Sequence, residues 1–168
     1  TFYDLLSRSW RDLGTPVYRK RYFESILREF GEKARIFVAF QGDTPVATTF
    51  NGHSEHTVEG MWAGSPYEYR KLQSNYVLYW EMIKRACEDG YEHFHLGRSS
   101  VESGGESFKK KWGAETQQLF WQYYLPSGGN IPQLNVKNPK SQLAINAWRR
   151  MPLRATQVLG PIFARSIP

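Results

Sequence analysis

The spacing of the apolar residues changes at Arg35, and that change restricts the folds open to this chain more than any other feature. Before it the period is helical: Phe2, Leu5, Leu6, Ser9 and Leu13 share one stripe, with Trp10 beside it and Gly14 as a stop. A second helix is expected to be capped by Thr15, with Pro16 at its first helical position. Tyr22, Phe23, Ile26, Leu27 and Phe30 would form its buried face before Gly31 ends it. From Arg35 the period is two. Arg35–Gln41 and Pro45–Asn51 read as a hairpin turning at Gly42 and Asp43, and Thr57–Ala63 as a third strand.

Helical spacing then returns. After a loop, GSPYEYRKLQSN, a helix is expected from about Asn75 to Asp89, with Tyr76, Tyr79, Trp80, Ile83 and Cys87 on its packed side and Gly90 as stop. EHFHLG reads as a short buried strand, the lysines of FKKKWGA as part of a brief helix, and TQQLFWQYYL as an aromatic strand. PSGGNIP is a connector. The tail reads as a helix from Lys140 to Met151 broken at Pro152, then a short helix ending before Gly160 and Pro161. Two helices, three antiparallel strands and a further alternation of helix and strand make a mixed sheet flanked by helices, an α/β or α+β domain.

The chain's 168 residues, 40% of them hydrophobic and 15% aromatic, suffice for one domain with a real core. There is no apolar run of about 18 residues and no charged-then-apolar leader, so neither a membrane span nor a signal segment is expected. Cys87 alone allows no internal disulfide, which suits a reducing compartment and makes the cytoplasm the expected location. The net charge of +6 is uneven. From Thr116 onward there is no Asp or Glu, while Lys137, Lys140, Arg149, Arg150, Arg154 and Arg165 are all cationic.

Five strings, LGTPVYRKRYF, YRKLQSNYVLYWEMIKRACEDGY, HFHLGRSS, FKKKWGA and NPKSQLAINAWRRMPL, together with the order of elements, resemble the GNAT N-acetyltransferase superfamily. More narrowly they resemble its FemAB-like branch, including FemAB-related proteins associated with PEP-CTERM/exosortase systems. The resemblance implies a GNAT-like, mostly antiparallel sheet. It divides the chain into an acyltransferase domain over residues 1–125, the second of a tandem pair, and a basic helical tail over 126–168. The fold normally opens with a strand before its first helix, and this chain starts at Thr1 within that helix. A fragment of a longer protein is therefore expected, with the N-terminal half of the same protein as partner and the strand at Arg35–Gln41 as an exposed sheet edge. Many relatives read Gly-Arg-Ser-Lys where this chain has GRSS, so Ser100 replaces a cation.

Coenzyme A enzymes of the superfamily carry a glycine-rich loop ahead of the helix that follows the third strand, where backbone N–H groups approach the pyrophosphate. Here that place holds SPYEYRKLQSN, with no glycine after Gly64, which disfavours acyl-coenzyme A. No cofactor is expected. The FemAB-like branch implies aminoacyl-tRNA as donor and an amine of the cell envelope, in peptidoglycan or exopolysaccharide assembly, as acceptor. The resemblance assigns Lys109 to the oxyanion of the transition state, with Phe108 and Trp112 shaping the pocket. The other reading is a solvated lysine cluster with Trp112 as core filler. Lys110 and Lys111 are read as solvated or phosphate-facing.

Arg98 either clamps a phosphate or carboxylate or forms a salt bridge to Glu102 or Glu106. Ser99 either binds substrate or caps the following turn. Tyr69, Arg70, Lys71 and Asn75 could meet an anionic donor, Asn75 being more simply read as a helix N-cap. Neither His53 with His56 nor His93 with His95 has the company a metal site needs, and no metal is expected. The basic tail either lies on the inner face of an anionic membrane or packs through Trp148 on the sheet. Function is expected to be FemAB-like acyl or aminoacyl transfer, the alternative being a non-catalytic module that binds tRNA or a lipid-linked sugar.

Overall fold

A computed structural model describes residues 1–120, 122–124 and 139–165. Helix α1, Phe2–Leu13, buries Phe2, Leu5, Leu6 and Ser9 and ends on Gly14 in the left-handed region, where the Gly14 and Thr15 N–H groups return to the carbonyls of Arg11 and Trp10. Leu13, expected on the buried stripe, is exposed. Helix α2, Lys20–Phe30, begins later than Thr15 and Pro16 suggest. Residues 15–19 lie in no helix, and Val17 among them drops into the core, where it is 2% exposed. Of the expected α2 face only Phe23 is buried; Tyr22 and Phe30 are exposed.

Strands β1, Ala34–Gln41, β2, Thr44–Ser54, and β3, Thr57–Gly64, pair antiparallel in sequence order, turning at Gly42 and Asp43 as expected. Strand β4, His93–His95, joins β3 in parallel. The sheet order β1-β2-β3-β4 leaves β1 at one edge. The result is a mixed α/β fold, mostly antiparallel, with helices flanking the sheet. On β4, His93 and His95 are exposed, against the expectation of a buried strand, because among the described residues this three-residue strand pairs with β3 alone.

Both faces of β2 are covered. Phe50 faces Phe2 and Phe23, while Thr49, Asn51 and His53 alternate onto the other side, where the Thr49 hydroxyl donates to the Met82 sulfur at 3.0 Å. Met82 belongs to helix α3, Ser74–Glu88, which buries Ser74, Leu78, Met82 and Ala86. That face is not the expected one. Trp80 is 58% exposed and Tyr76 and Cys87 also face outward, since the face of Ser74, Leu78, Met82 and Ala86 is the one turned to the polar strip of β2. The expected loop before α3 is a 3-10 helix, Tyr67–Leu72.

Two compact units result, residues 1–97 with 145–168, and residues 98–144. The second contains helix α4, Gly104–Lys110. No strand runs through residues 116–120 or 122–124, where an aromatic one was expected; Trp121, Leu125 and the connector at 126–132 lie outside the described residues. Helix α5 spans Pro139–Arg150 and α6 spans Leu153–Ala164, so α6 continues through Gly160 and Pro161 where it was expected to stop. Contact explains the continuation. A Cβ on Gly160 would lie 2.7 Å from the Val17 carbonyl oxygen, so glycine allows α6 to touch that backbone, and the packing offsets the hydrogen bond Pro161 cannot make. Trp148 packs edge-on against Phe163 at 5.7 Å, and Arg149 donates to the Leu13 carbonyl at the end of α1.

In the first unit Phe23 is 2% exposed and meets the rings of Phe2, Tyr3, Tyr18, Tyr22, Phe50 and Trp62. Phe23→Ala should cost about 3–5 kcal/mol in the midpoint-derived unfolding free energy. A loss under about 1 kcal/mol in urea denaturation would mean that the cluster repacks without its centre.

Candidate functional site

The lysine motif is organised by a glutamate. In Ser103-Gly-Gly-Glu106 the Ser103 hydroxyl accepts the Glu106 N–H at 3.2 Å, and the Glu106 carboxylate reaches back to the N–H of Glu102 at 2.6 Å, a reciprocal cap at the start of α4. Glu102 itself sits at φ 59°, in the left-handed region that non-glycine residues seldom occupy. One turn on, Lys110 lies 2.7 Å from the same carboxylate. Hydrogen bonds from Lys110 and then from the Glu102 backbone hold the Glu106 carboxyl below the usual range. Glu106 is also one of the two partners considered for Arg98.

The end of α4 tightens. The N–H groups of Lys111, Trp112 and Gly113 return to the carbonyls of Phe108, Lys109 and Lys110 at 3.2, 2.9 and 3.1 Å, and Gly113 closes the turn at φ 73°. Phe108 and Trp112, four apart, meet edge-on with ring centres 6.4 Å apart. Lys109 donates from Nζ to the Arg98 carbonyl at 2.7 Å, and partial burial pushes its ammonium below the ordinary lysine value. The Arg98 and Ser99 side chains are exposed, and the Ser99 hydroxyl lies over Gly105, where a Cβ would stand 3.4 Å from it. Within this unit the structure thus gathers Phe108, Lys109 and Trp112 in one turn and ties Lys109 to Arg98. The cation it holds can oppose charge that develops on an acyl oxygen.

Tyr69, Arg70, Lys71 and Asn75 belong to the first unit. The first three share the 3-10 helix, whose start is tied to α1 by the Tyr67 N–H on Asp12 at 2.9 Å and by Glu68 on Arg8 at 3.2 Å. The Arg70 guanidinium stacks over Tyr67, 4.8 Å from the ring centre. Lys71 and Asn75 are exposed. Asn75 is not the N-cap of α3; Gln73 holds that place at φ 52°, and Asn75 sits inside the first turn.

Two arrangements escaped the reading of the chain. His95 and Glu59 stand 3.6 Å apart on the last paired rung of β3 and β4, at the carboxyl end of β4, where ligands of open sheets tend to gather. Only strand register brings them together, although alternation within HFH and TVE could have suggested outward faces. Asn51 and His53 are buried on β2, and neither the amide nor the imidazole has a hydrogen-bond partner among the described residues. Burial first, then Arg35, pushes the His53 imidazole down, against an upward pull from Asp89. Among the described residues no group of three or more His, Cys, Asp or Glu could hold a metal, and no helix is long and apolar enough to cross a membrane.

The family model described as an acetyltransferase (GNAT) domain matches residues 1–110. An aminoglycoside acetyltransferase from an uncultured soil metagenomic sample, solved with sisomicin, is similar in fold: 14% identity, 74% of this chain and 86% of that one covered, TM-score 0.58. A point mutant of the BH1408 protein of Bacillus halodurans is 12% identical over 73% of this chain and 93% of its own, with a TM-score of 0.52. No curated protein sequence matches the chain.

The depressed Glu106 carboxyl sets a pH dependence for the lysine turn. Its contribution is complete above the ordinary glutamate value and is lost as pH falls through the lower folded value. The amide proton of Glu102, followed by NMR, should titrate with a midpoint below that of an exposed glutamate, and Glu106→Gln should remove the transition. A midpoint in the ordinary range would show that the cap and the Lys110 pair are not held in solution.

Proposed function

Since the chain belongs to the acetyltransferase (GNAT) domain family, whose members transfer acyl groups, we propose that it is a FemAB-like enzyme moving an acyl or aminoacyl group onto an amine of the cell envelope or an exopolysaccharide. One observation carries this reading. The Lys109 ammonium is half-buried and anchored at 2.7 Å to the Arg98 carbonyl, in the turn that also presents Phe108 and Trp112.

The chemistry follows from that placement. The acceptor amine attacks the ester or thioester carbonyl, the new C–N bond forms as negative charge moves onto oxygen, and the C–O or C–S bond then breaks with the leaving group taking up a proton. A cation already stripped of part of its water and fixed in place needs no reorganisation when that charge develops. The lowered ammonium of Lys109 reflects this partial desolvation. Phe108 and Trp112 supply apolar walls that strengthen the interaction by displacing solvent.

Support for an aminoacyl-tRNA donor over acyl-coenzyme A comes from the entry to α3. The residues there are Tyr69, Arg70, Lys71, Gln73 and Asn75 in a 3-10 helix and a first helical turn, with aromatic and cationic side chains in place of glycines. Such side chains suit stacking on bases and contact with phosphates. Arg98 and Ser99 are the further proposed substrate contacts. The second reading, a non-catalytic module binding an anionic partner, draws on the same lysine, because the bond to Arg98 also serves simply to pin the segment after β4.

Lys109→Met separates the two. With acyl transfer from aminoacyl-tRNA and from acetyl-coenzyme A measured side by side, the variant should lose about 100- to 1,000-fold in rate while its melting temperature changes little, and Lys111→Ala should leave the rate intact. Loss of stability with no transfer by the unaltered protein from either donor would favour the pinning role.

A further inference from the structure

Helix α6 presents two unlike faces. One is built from Thr156, Gly160, Pro161 and Ala164, all buried, and it is held by close backbone contact at Val17 and by the Gln157 amide on the Ser7 hydroxyl at 2.9 Å. On the opposite face Val158 is 70% exposed and Ile162 57%, with the exposed Arg154 and Arg165 beside them. At roughly 100° per residue these four side chains fall within about 80° of arc. They form a single stripe, apolar along its middle and cationic at both ends. Phe163, about 100° further round the helix from Ile162, packs on Trp148 and lies outside the stripe.

We propose that this stripe docks on an anionic lipid bilayer surface. The assignment rests on charge complementarity. No acidic residue occurs from Thr116 to the end of the chain, so the helix carries no local counter-charge of its own. A second copy is a poor occupant, because a two-fold pairing of the stripe with itself sets Arg154 and Arg165 against their own kind. An anionic bilayer meets both requirements: Val158 and Ile162 enter the boundary between headgroups and acyl chains, while the arginines reach the phosphates on stems that themselves tolerate apolar surroundings. The helix lies on the surface and does not span it, being 12 residues long. The proposal stands on α6 alone and does not depend on the acyl-transfer reading.

The test is co-sedimentation of the full chain with vesicles of phosphatidylglycerol and phosphatidylcholine, beside vesicles of phosphatidylcholine alone. Binding should require the anionic lipid and weaken with salt. Arg154→Gln with Arg165→Gln should reduce partitioning by roughly 25-fold, at about fivefold per arginine. Val158→Ser with Ile162→Ser should reduce it at least fivefold without lowering the melting temperature, since neither side chain is buried. Lys20→Gln with Arg21→Gln, exposed cations on α2, is the control and should partition as the unaltered protein does. The proposal is overturned if anionic vesicles sediment no more protein than neutral ones, or if the α2 control loses as much as the α6 variants. It is equally overturned if sedimentation velocity shows a dimer that Val158→Ser with Ile162→Ser abolishes.

Discussion

Phe23 stands where α1, α2 and the sheet converge, and the first unit is arranged around its ring. Edge-on contacts with Phe2 and Trp62, each at 5.2 Å, join it to α1 and to β3, and Phe50 brings in β2. Aromatic quadrupoles favour such perpendicular packing, which also resists sliding, so one buried ring sets the depth at which both helices lie on the sheet. The close approaches depend on that depth. A Cβ at Gly64 would stand 2.8 Å from the Leu6 backbone, and one at Gly160 would meet Val17. Glycine is required at both positions because backbone occupies the space.

The second unit is organised by charge. Glu106 accepts from Glu102 and pairs with Lys110, so it is stabilised as an anion and in turn orders the helix that carries Lys109. The consecutive lysines therefore have different fates: Lys110 neutralises the cap, while Lys109 turns to the Arg98 carbonyl. The half-buried place of Lys109 in that turn is what the proposed chemistry draws on.

Much of the architecture was legible in local pattern. The helical stripe of Phe2, Leu5, Leu6 and Ser9, the stop at Gly14 and the turn at Gly42 and Asp43 depend on interactions within a few residues, and each stands where periodicity put it. The failures share a cause. Thr15 and Pro16 carry a start signal, yet the core takes Val17 instead; Trp80 looks like core at helical spacing, yet α3 turns Ser74, Leu78, Met82 and Ala86 inward. Gly160 and Pro161 read as a terminus until the neighbouring backbone is in place. In the site, Phe108, Lys109 and Trp112 could be found in the string FKKKWGA, and the family resemblance pointed to them. The register pair Glu59 and His95 could not be found that way, being 36 positions apart and joined only across strands.

The sequence by itself determined the succession of helices and strands, the placement of positive charge in the C-terminal third, and the cap, lysines and aromatics of the FKKKWGA turn, because hydrogen bonds and contacts within one or two helical turns decide those features. Tertiary structure alone decided which face of α3 is buried, how far α6 runs, which residues of β3 and β4 face each other, and which lysine meets the Arg98 carbonyl. Each of these depends on what a distant segment offers at the point of contact, its volume, its polarity or its bare backbone, and a single chain read in order carries no measure of that.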